Sequence, residues 1–141
     1  GALNAFRESL AVRKRLAAAD PSHAGWQRDL SVSHNKLGDV LRDQGDLDGA
    51  LNAFRESLAV RKRLAATDPS HAGWQRDLSF SLTLLAQFHE QQGEPALALP
   101  LAEQSLSIDE RLSALDKSNV MWQKDVEVSR RLVNRLREAI R

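Results

Sequence analysis

The chain has 141 residues, 42% hydrophobic and 28% charged, which is the composition of an ordinary globular protein and excludes a disordered or fibrous chain. Twenty basic residues against 19 acidic ones give a formal net charge of +1, so the chain lacks the positive field that nucleic acid or an anionic membrane attracts. Cysteine is absent, which excludes disulfides and cysteine metal sites.

An internal repeat dominates the sequence. Residues 2–31 recur as residues 50–79 with one change, Ala19 to Thr67, which gives a period of 48 residues. A third, more diverged copy keeps the spacing of Trp26, Trp74 and Trp122, of Asp20, Asp68 and Asp116, and of Leu16, Leu64 and Leu112. Self-similarity at a fixed period is typical of stacked solenoid repeats and not of a single catalytic core.

Six helices are predicted along the chain, each with apolar residues at intervals of three and four. Their ranges are 2–19, 24–43, 47–66, 72–91, 95–115 and 119–140. Asp-Pro-Ser at 20–22 and 68–70 predicts an aspartate cap followed by proline at the first helical position. Gly45 and Gly93 predict turns closed by a left-handed glycine. Because the connections are short, successive helices are expected to pack antiparallel.

The segment around the first glycine turn resembles the tetratricopeptide repeat. The family's Leu-Gly pair, large residue, turn glycine, alanine, aromatic and small residue are matched in order and spacing by Leu37, Gly38, Leu41, Gly45, Ala50, Phe54 and Ser57. The next copy matches less fully, with Leu85, Ala86, His89, Gly93, Ala98, Ala102 and Ser105. The family repeat has 34 residues. The 14 extra residues here divide into seven in each helix, which keeps each apolar stripe within about 20° of its original face.

The resemblance implies an all-α, right-handed superhelical solenoid of antiparallel helix hairpins. It divides a single domain into a half-repeat at 1–20, repeats at 21–68 and 69–116, and a half-repeat at 117–141. The chain would open on the second helix of one hairpin and close on the first helix of another. We therefore expect a longer array or a covered opening face, and head-to-tail self-association of the last helix with the opening helix of another molecule.

No residue pattern predicts catalysis, a cofactor or a metal site. His23 and His71 occupy equivalent places a whole repeat apart, and His34 and His89 lie elsewhere, so all four are interpreted as surface or helix-terminal residues. Three serines, Ser9, Ser57 and Ser105, fall at the family's small-residue position and are expected to serve packing.

Two basic runs, at 13–15 and 61–63, lie near predicted helix C-termini. Positive charge is favourable there, so the runs are interpreted as solvated helix ends. The third copy has Asp109-Glu110-Arg111 at these places, which interrupts any continuous basic stripe. The sequence therefore predicts no nucleic-acid partner.

The best candidate site comes from the resemblance, because the first helix of each hairpin lines the concave groove in tetratricopeptide proteins. Counting from the Leu-Gly pair, the groove positions fall on Arg28, Val32, Asn35, Asp39 and Arg42 in the first full copy, on Arg76, Phe80, Thr83, Gln87 and Glu90 in the second, and on Lys124, Val128, Arg131, Arg135 and Glu138 in the third. Polar residues with one apolar row suit a peptide or a helix. The family's carboxylate clamp is not matched, since Asp39 stands where asparagine is needed.

The expected function is that of a non-enzymatic protein-interaction or scaffold module that binds a peptide or protein through the concave face. Two alternatives remain open: the regulatory or sensor arm of a larger multidomain effector enzyme, and a structural element that self-assembles through its ends. No cofactor, metal, membrane or nucleic-acid partner is expected. No apolar run is long enough to span a membrane, and a cytoplasmic location is the default expectation.

Overall fold

A computed structural model describes all residues, 1–141, and contains six α-helices and no strands. The helices are α1 (Ala2–Ala19), α2 (Ala24–Asp43), α3 (Leu47–Thr67), α4 (Ala72–Gln91), α5 (Pro95–Leu115) and α6 (Val120–Ile140). The predicted all-α class is confirmed, and the predicted helix limits agree to within one residue. None of these helices combines the length and apolar character that crossing a bilayer requires.

The chain forms two compact units, Gly1–Asp68 and Pro69–Arg141. In the first unit α2 packs against both α1 and α3, and more extensively against α3. In the second unit α5 packs against both α4 and α6. The middle helix of the first unit, α2, is therefore the first helix of its hairpin. The middle helix of the second unit, α5, is the second helix of its hairpin.

The starts of α2, α4 and α6 share one cap, which differs from the predicted one. The side chain at the cap accepts a hydrogen bond from the backbone N–H of the tryptophan three residues later: His23 from Trp26 (3.1 Å), His71 from Trp74 (3.1 Å) and Asn119 from Trp122 (3.0 Å). Each capping imidazole also stacks on its tryptophan, with ring centroids 4.0 Å apart. The stacked caps explain the tryptophans of the first two copies, whereas Trp122 keeps only the hydrogen bond to the capping side chain.

The predicted aspartate cap at position 20 is wrong. Asp20 ends α1, and its carboxylate accepts hydrogen bonds from the backbone N–H and the hydroxyl of Ser22. Asp116 makes the same two bonds with Ser118 at the equivalent place in the third copy. The aspartate closes a turn of its own, since a short carboxylate readily bonds the backbone two residues ahead. α2 therefore starts at Ala24, three residues after Pro21, and not at the proline.

The glycine turns are confirmed, with φ of +84° at Gly45 and +74° at Gly93. After the first turn Asp46 caps α3 through a 2.9 Å bond from the backbone N–H of Gly49. After the second turn Glu94 makes no such cap, and its carboxylate lies 3.1 Å from Nδ1 of His89. His89 replaces the apolar Leu41 of the first copy. Its buried imidazole binds the Glu94 carboxylate, which therefore does not cap α5.

Close approach of α2 and α3 depends on Gly38. A Cβ atom at this residue would lie 2.5 Å from Cε1 of the Phe54 ring, which is fully buried. The second unit has a methyl group on both sides, because Ala86 and Ala102 take the equivalent places in one apolar cluster. The loss of the aromatic residue in the second copy is thus compensated by a larger residue on the facing helix.

We predict that Gly38→Ala destabilises the chain by about 1–2 kcal/mol, because the overpacking cost exceeds the gain in helix propensity. In a Phe54→Ala background the same substitution should instead stabilise, by up to about 1 kcal/mol. Urea denaturation followed by circular dichroism measures the wild type, the two single variants and the double variant. A Gly38→Ala effect of the same sign in both backgrounds would contradict the steric explanation.

Candidate partner-binding face

In the first unit, the predicted groove residues lie on α2 but do not form an open polar surface. Arg42 donates to Asp39 (3.2 Å), and its guanidinium lies over the Phe54 ring, 5.9 Å from the centroid. Burial raises the pKa of Asp39, and Arg42 partly offsets that rise. Asn35 is buried, so it cannot contact a partner in this conformation. Arg28 is exposed and Val32 is half-buried.

In the second unit, the predicted residues lie on α4 and α6, and together we call them the α4–α6 face. It consists of Arg76, Phe80, Thr83, Gln87 and Glu90 on α4, and Lys124, Val128, Arg131, Arg135 and Glu138 on α6. Two bidentate ion pairs join the helices, Arg76 with Asp125 (2.7 and 3.3 Å) and Arg135 with Glu90 (2.7 and 3.0 Å). The pairs lie towards opposite ends of the two helices and fix their register.

Two large apolar side chains lie between these ion pairs. Phe80 is one helical turn beyond Arg76 on α4, and Val128 is one turn beyond Asp125 on α6, so each lies between the two ion pairs along its own helix. Their side chains are 59% and 51% exposed, respectively. Exposed apolar groups framed by polar ones are typical of a binding surface.

The cations of the α4–α6 face fall into two classes. Hydrogen bonds to carboxylates raise the pKa values of Arg76 and Arg135 above the ordinary arginine value, and both guanidiniums are committed to those pairs. Lys124 and Arg131 are exposed and make no ion pair. Glu138 pairs with Arg141, the residue that follows α6 (3.0 Å). Among the residues of the α4–α6 face, the charges without an ion pair are therefore the positive ones of Lys124 and Arg131, on either side of Val128.

A buried chain of hydroxyl groups supports this face from below. The Ser105 hydroxyl shares hydrogen bonds with Thr83 (2.6 Å) and Ser79 (2.8 Å), and the Ser79 hydroxyl donates to the carboxylate of Asp109. Ser129 on α6 also bonds this carboxylate. Burial raises the pKa of Asp109, and the two serine bonds only partly offset the rise. The network ties α4, α5 and α6 to one carboxyl group.

The equivalent network in the first unit is built on arginine. Nε of Arg61 donates to Ser31 (3.0 Å), and Arg13 donates to Ser33. Arg61 is buried, so the prediction that both basic runs are solvated helix ends is wrong for this residue; serine hydroxyls on α2 give its guanidinium acceptors inside the hairpin. Two buried atoms there, Oδ1 of Asn35 and Oγ of Ser57, have no hydrogen-bond partner, whereas their counterparts Thr83 and Ser105 bond each other.

The histidines divide into two groups. His23 and His71 are exposed helix caps, as predicted. His34 is buried within α2, so its interpretation as a surface or helix-terminal residue is wrong. His89 lies in the last turn of α4, as a helix-terminal residue, but it is buried and not on the surface. Burial, together with the nearby charge of Lys14, lowers the pKa of His34. No group of three or more histidine, aspartate or glutamate side chains is arranged to hold a metal ion.

A separate cleft of about 610 Å³ opens between α1 and α3 above α2. Its apolar lining comes from Ala17, Leu30, Val60 and Leu64, and Lys14 and Arg63 contribute the cations. No sequence motif indicates this cleft, because it arises from the spacing of two second helices.

Asp125, the partner of Arg76, is not among the residues predicted for the site. A signal was present: Arg-Asp recurs at 28–29 and 76–77, and Lys-Asp stands at 124–125. A repeated opposite-charge dipeptide suggests pairing between copies. The neighbouring side chains on one helix point in different directions, so the sequence alone does not say which copy supplies which partner.

Helix hairpins of one repeating pattern make this chain a helical repeat protein. The tetratricopeptide repeat family model matches residues 29–111, and the chain belongs to that family. No curated protein matches the sequence. Among solved structures, the chain is similar to the DHF38 filament, at 16% identity and a TM-score of 0.52, over 98% of this chain and 68% of that one. It also matches the de novo designed helical repeat protein DHR64, at 16% identity and a TM-score of 0.49, over 98% of this chain and 70% of that one.

We predict that Asp109 makes the fold more stable in acid. Its pKa is raised on folding, so its contribution is complete below the unfolded pKa and is lost as pH rises through the folded pKa. Asp109→Asn should remove this loss, and the unfolding free energy of wild type minus that of the variant should fall between pH 4 and neutrality. Urea midpoints across this range measure the difference.

Asp116→Asn is the matched control with the opposite sign. Hydrogen bonds from Ser118 lower the pKa of this exposed carboxyl, so its contribution is present above the unfolded pKa and is lost as pH falls. Parallel pH profiles for the two differences would contradict the assignment of Asp109.

Proposed function

We propose that the chain is a non-enzymatic protein-interaction module that binds a peptide or protein partner through the first helices of its hairpins, with the α4–α6 face as the main contact. Membership of the tetratricopeptide repeat family supports a role in protein–protein interaction or scaffolding. The observation that carries the proposal is the exposed pair Phe80 and Val128 between two ion pairs. A surface held rigid in this way loses little conformational entropy when a partner binds.

The chemistry of the face defines the partner. An apolar side chain would cover Phe80 and Val128, and acidic groups would pair with Lys124 and Arg131, which have no intramolecular ion pair. The half-buried Thr83 and Gln87 supply hydrogen-bonding groups along the same line. The partner segment is therefore acidic with at least one large apolar residue, in an extended or helical conformation.

The same binding role suits the regulatory arm of a larger effector enzyme. In that case the partner segment would control the enzyme, and the α4–α6 face would serve the same purpose. A cytoplasmic location remains a prediction from the sequence.

We predict that Arg131→Glu and Phe80→Ala each reduce capture of the partner by about tenfold or more, since one removes the available charge and the other the apolar contact. The measurement is a pull-down from the source cell, after circular dichroism has shown that the variants remain helical. Arg135 is unsuitable for this test because its loss would break the link to Glu90.

Arg130→Glu is the matched control. Arg130 is also exposed on α6, and its substitution makes the same change in charge one residue away. It should leave capture unchanged. Equal capture by wild type, Arg131→Glu and Phe80→Ala would remove the α4–α6 face from the proposal.

Assembly through the end helices is the other role that the sequence suggests, and it would bury the exposed Val12 and Leu16 of α1. Head-to-tail pairing with α6, however, would place Asn134 where α2 has Gly38. The ring of Phe6, the counterpart of Phe54, leaves no room for that side chain in the hairpin geometry of α2 and α3. We therefore propose that α6 is a poor partner for α1.

We predict that the chain is monomeric over the micromolar to millimolar range by multi-angle light scattering, because the end helices do not match. A mass that rises with concentration and returns to that of a monomer in an Asn134→Ala variant would support head-to-tail assembly and contradict the steric argument.

A further inference from the structure

The cleft of about 610 Å³ between α1 and α3, called the α1–α3 cleft below, shares no residue with the α4–α6 face. Its lining lies within residues 14–67, on three consecutive helices and the turn at Pro21. Its volume is within the range of small-molecule sites. The α3 wall runs from Val60 to Thr67, which is about 10 Å or two helical turns. Because the turn at Pro21 borders one end, the cleft suits a compact molecule and not a longer peptide or helix.

The apolar residues of the α1–α3 cleft form its base, and its cations lie at the rim. Ala17, Leu30 and Leu64 are buried. Lys14 and Arg63 are exposed and face the cleft from opposite walls, on α1 and α3. Small-molecule sites commonly combine an apolar lining with a few charged or polar groups that fix the orientation of the ligand. This arrangement matches a ligand with an apolar body and a charged group.

The two rim cations belong to the repeated basic runs, but to different places in them. Lys14 is the middle residue of the run at 13–15, and Arg63 is the last residue of the run at 61–63. Neither α1 nor α3 has a basic residue in its last turn. The helix dipole acts mainly within that turn, so attraction to the helix ends does not account for these cations. What they share is the α1–α3 cleft.

No carboxylate balances these two charges. The lining contains neither aspartate nor glutamate, and neither Lys14 nor Arg63 makes an ion pair. His34, one turn beyond Leu30 on α2, shows the sign of the local field. Burial and then the charge of Lys14 lower the pKa of His34, and the opposing effect of Glu56 is smaller. Two unbalanced cations around one space attract an anion.

Gln27 holds the α1–α3 cleft in shape. Its Nε2 donates to the carbonyl oxygen of Ala17 (3.1 Å), which joins the base on α2 to the α1 wall. The same bond satisfies a carbonyl group in the last turn of α1, which would otherwise repel an anion. A preformed cleft loses little conformational entropy when a ligand binds.

We propose that the α1–α3 cleft binds a small organic acid, ionised at neutral pH, with an apolar body. The anionic group lies between Lys14 and Arg63, and the apolar body contacts Val60 and Leu64. This site goes beyond the binding of a peptide or protein, and it uses no residue of the α4–α6 face. Either site therefore stands or fails without the other.

The test uses the 141-residue chain and the fluorescent probe anilinonaphthalene sulfonate, an anion with an aromatic body. The part of the fluorescence signal that decanoate displaces should correspond to one probe per chain, with a dissociation constant of about 10–100 μM. Acetate lacks the apolar body and decyltrimethylammonium has the opposite charge, so neither should displace this part of the signal.

A double variant with Lys14→Gln and Arg63→Gln should weaken this binding by about tenfold or more, because both rim charges are lost. The matched control combines Arg15→Gln with Lys62→Gln. It also removes one lysine and one arginine from the two runs, but both residues are exposed and neither lines the cleft, so binding should not change. Ala18→Trp fills the cleft from an exposed position and should block the probe. Circular dichroism checks that all variants remain helical.

Three results would overturn the proposal. The first is equal weakening by the two double variants, since the probe would then respond only to the overall charge. The second is a displaceable signal that Arg131→Glu removes and that Lys14→Gln with Arg63→Gln retains, because the probe would then lie on the α4–α6 face. The third is unchanged binding in Ala18→Trp.

Discussion

The close contact between the Phe54 ring and the backbone of α2 at Gly38 sets the spacing of the first hairpin. Because the ring fits only where the facing residue has no side chain, the two positions must change together. The second hairpin shows the other solution, with Ala86 and Ala102 in one cluster. This constraint determines which helices of the chain are compatible with one another, and it distinguishes α2 from α6 as a partner for a helix with the sequence of α1.

A second constraint concerns one repeat position, which is occupied by Arg13, Arg61 and Asp109 in the three copies. In each second helix this residue bonds serine hydroxyls on neighbouring first helices, either as a cation or as a carboxyl group. The exchange from arginine to aspartate is tolerated because serine both donates and accepts. The carboxyl version brings Ser79, Ser129 and Thr83 into one network and orders the two helices that carry the α4–α6 face.

The helix limits and the turns were predictable, because periodicity, short connections and the two glycines are local signals. The caps of α2 and α4 were not predictable. Residue preferences favour aspartate as the cap, but a histidine takes this place, because its imidazole stacks on the tryptophan and accepts a hydrogen bond from the tryptophan backbone N–H. Burial of Arg61 was hidden within a run of three cations, since only the serine on the facing helix makes the interior acceptable for its charge. On the candidate face, the residues followed from the family pattern, but the division into paired and available cations did not. It depends on Asp125 and Glu90, which reach across from neighbouring helices.

The near-identity of α1 and α3 also separates intrinsic helix propensity from packing. Both helices have almost the same propensity, capping sequence aside, and they differ in the surface that is covered. Amide hydrogen exchange of the two segments would therefore compare one sequence in two environments within a single molecule. Because the two sequences are nearly the same, the contribution of amino-acid composition cancels in the ratio of their protection factors. That ratio therefore gives the contribution of neighbouring helices to local stability.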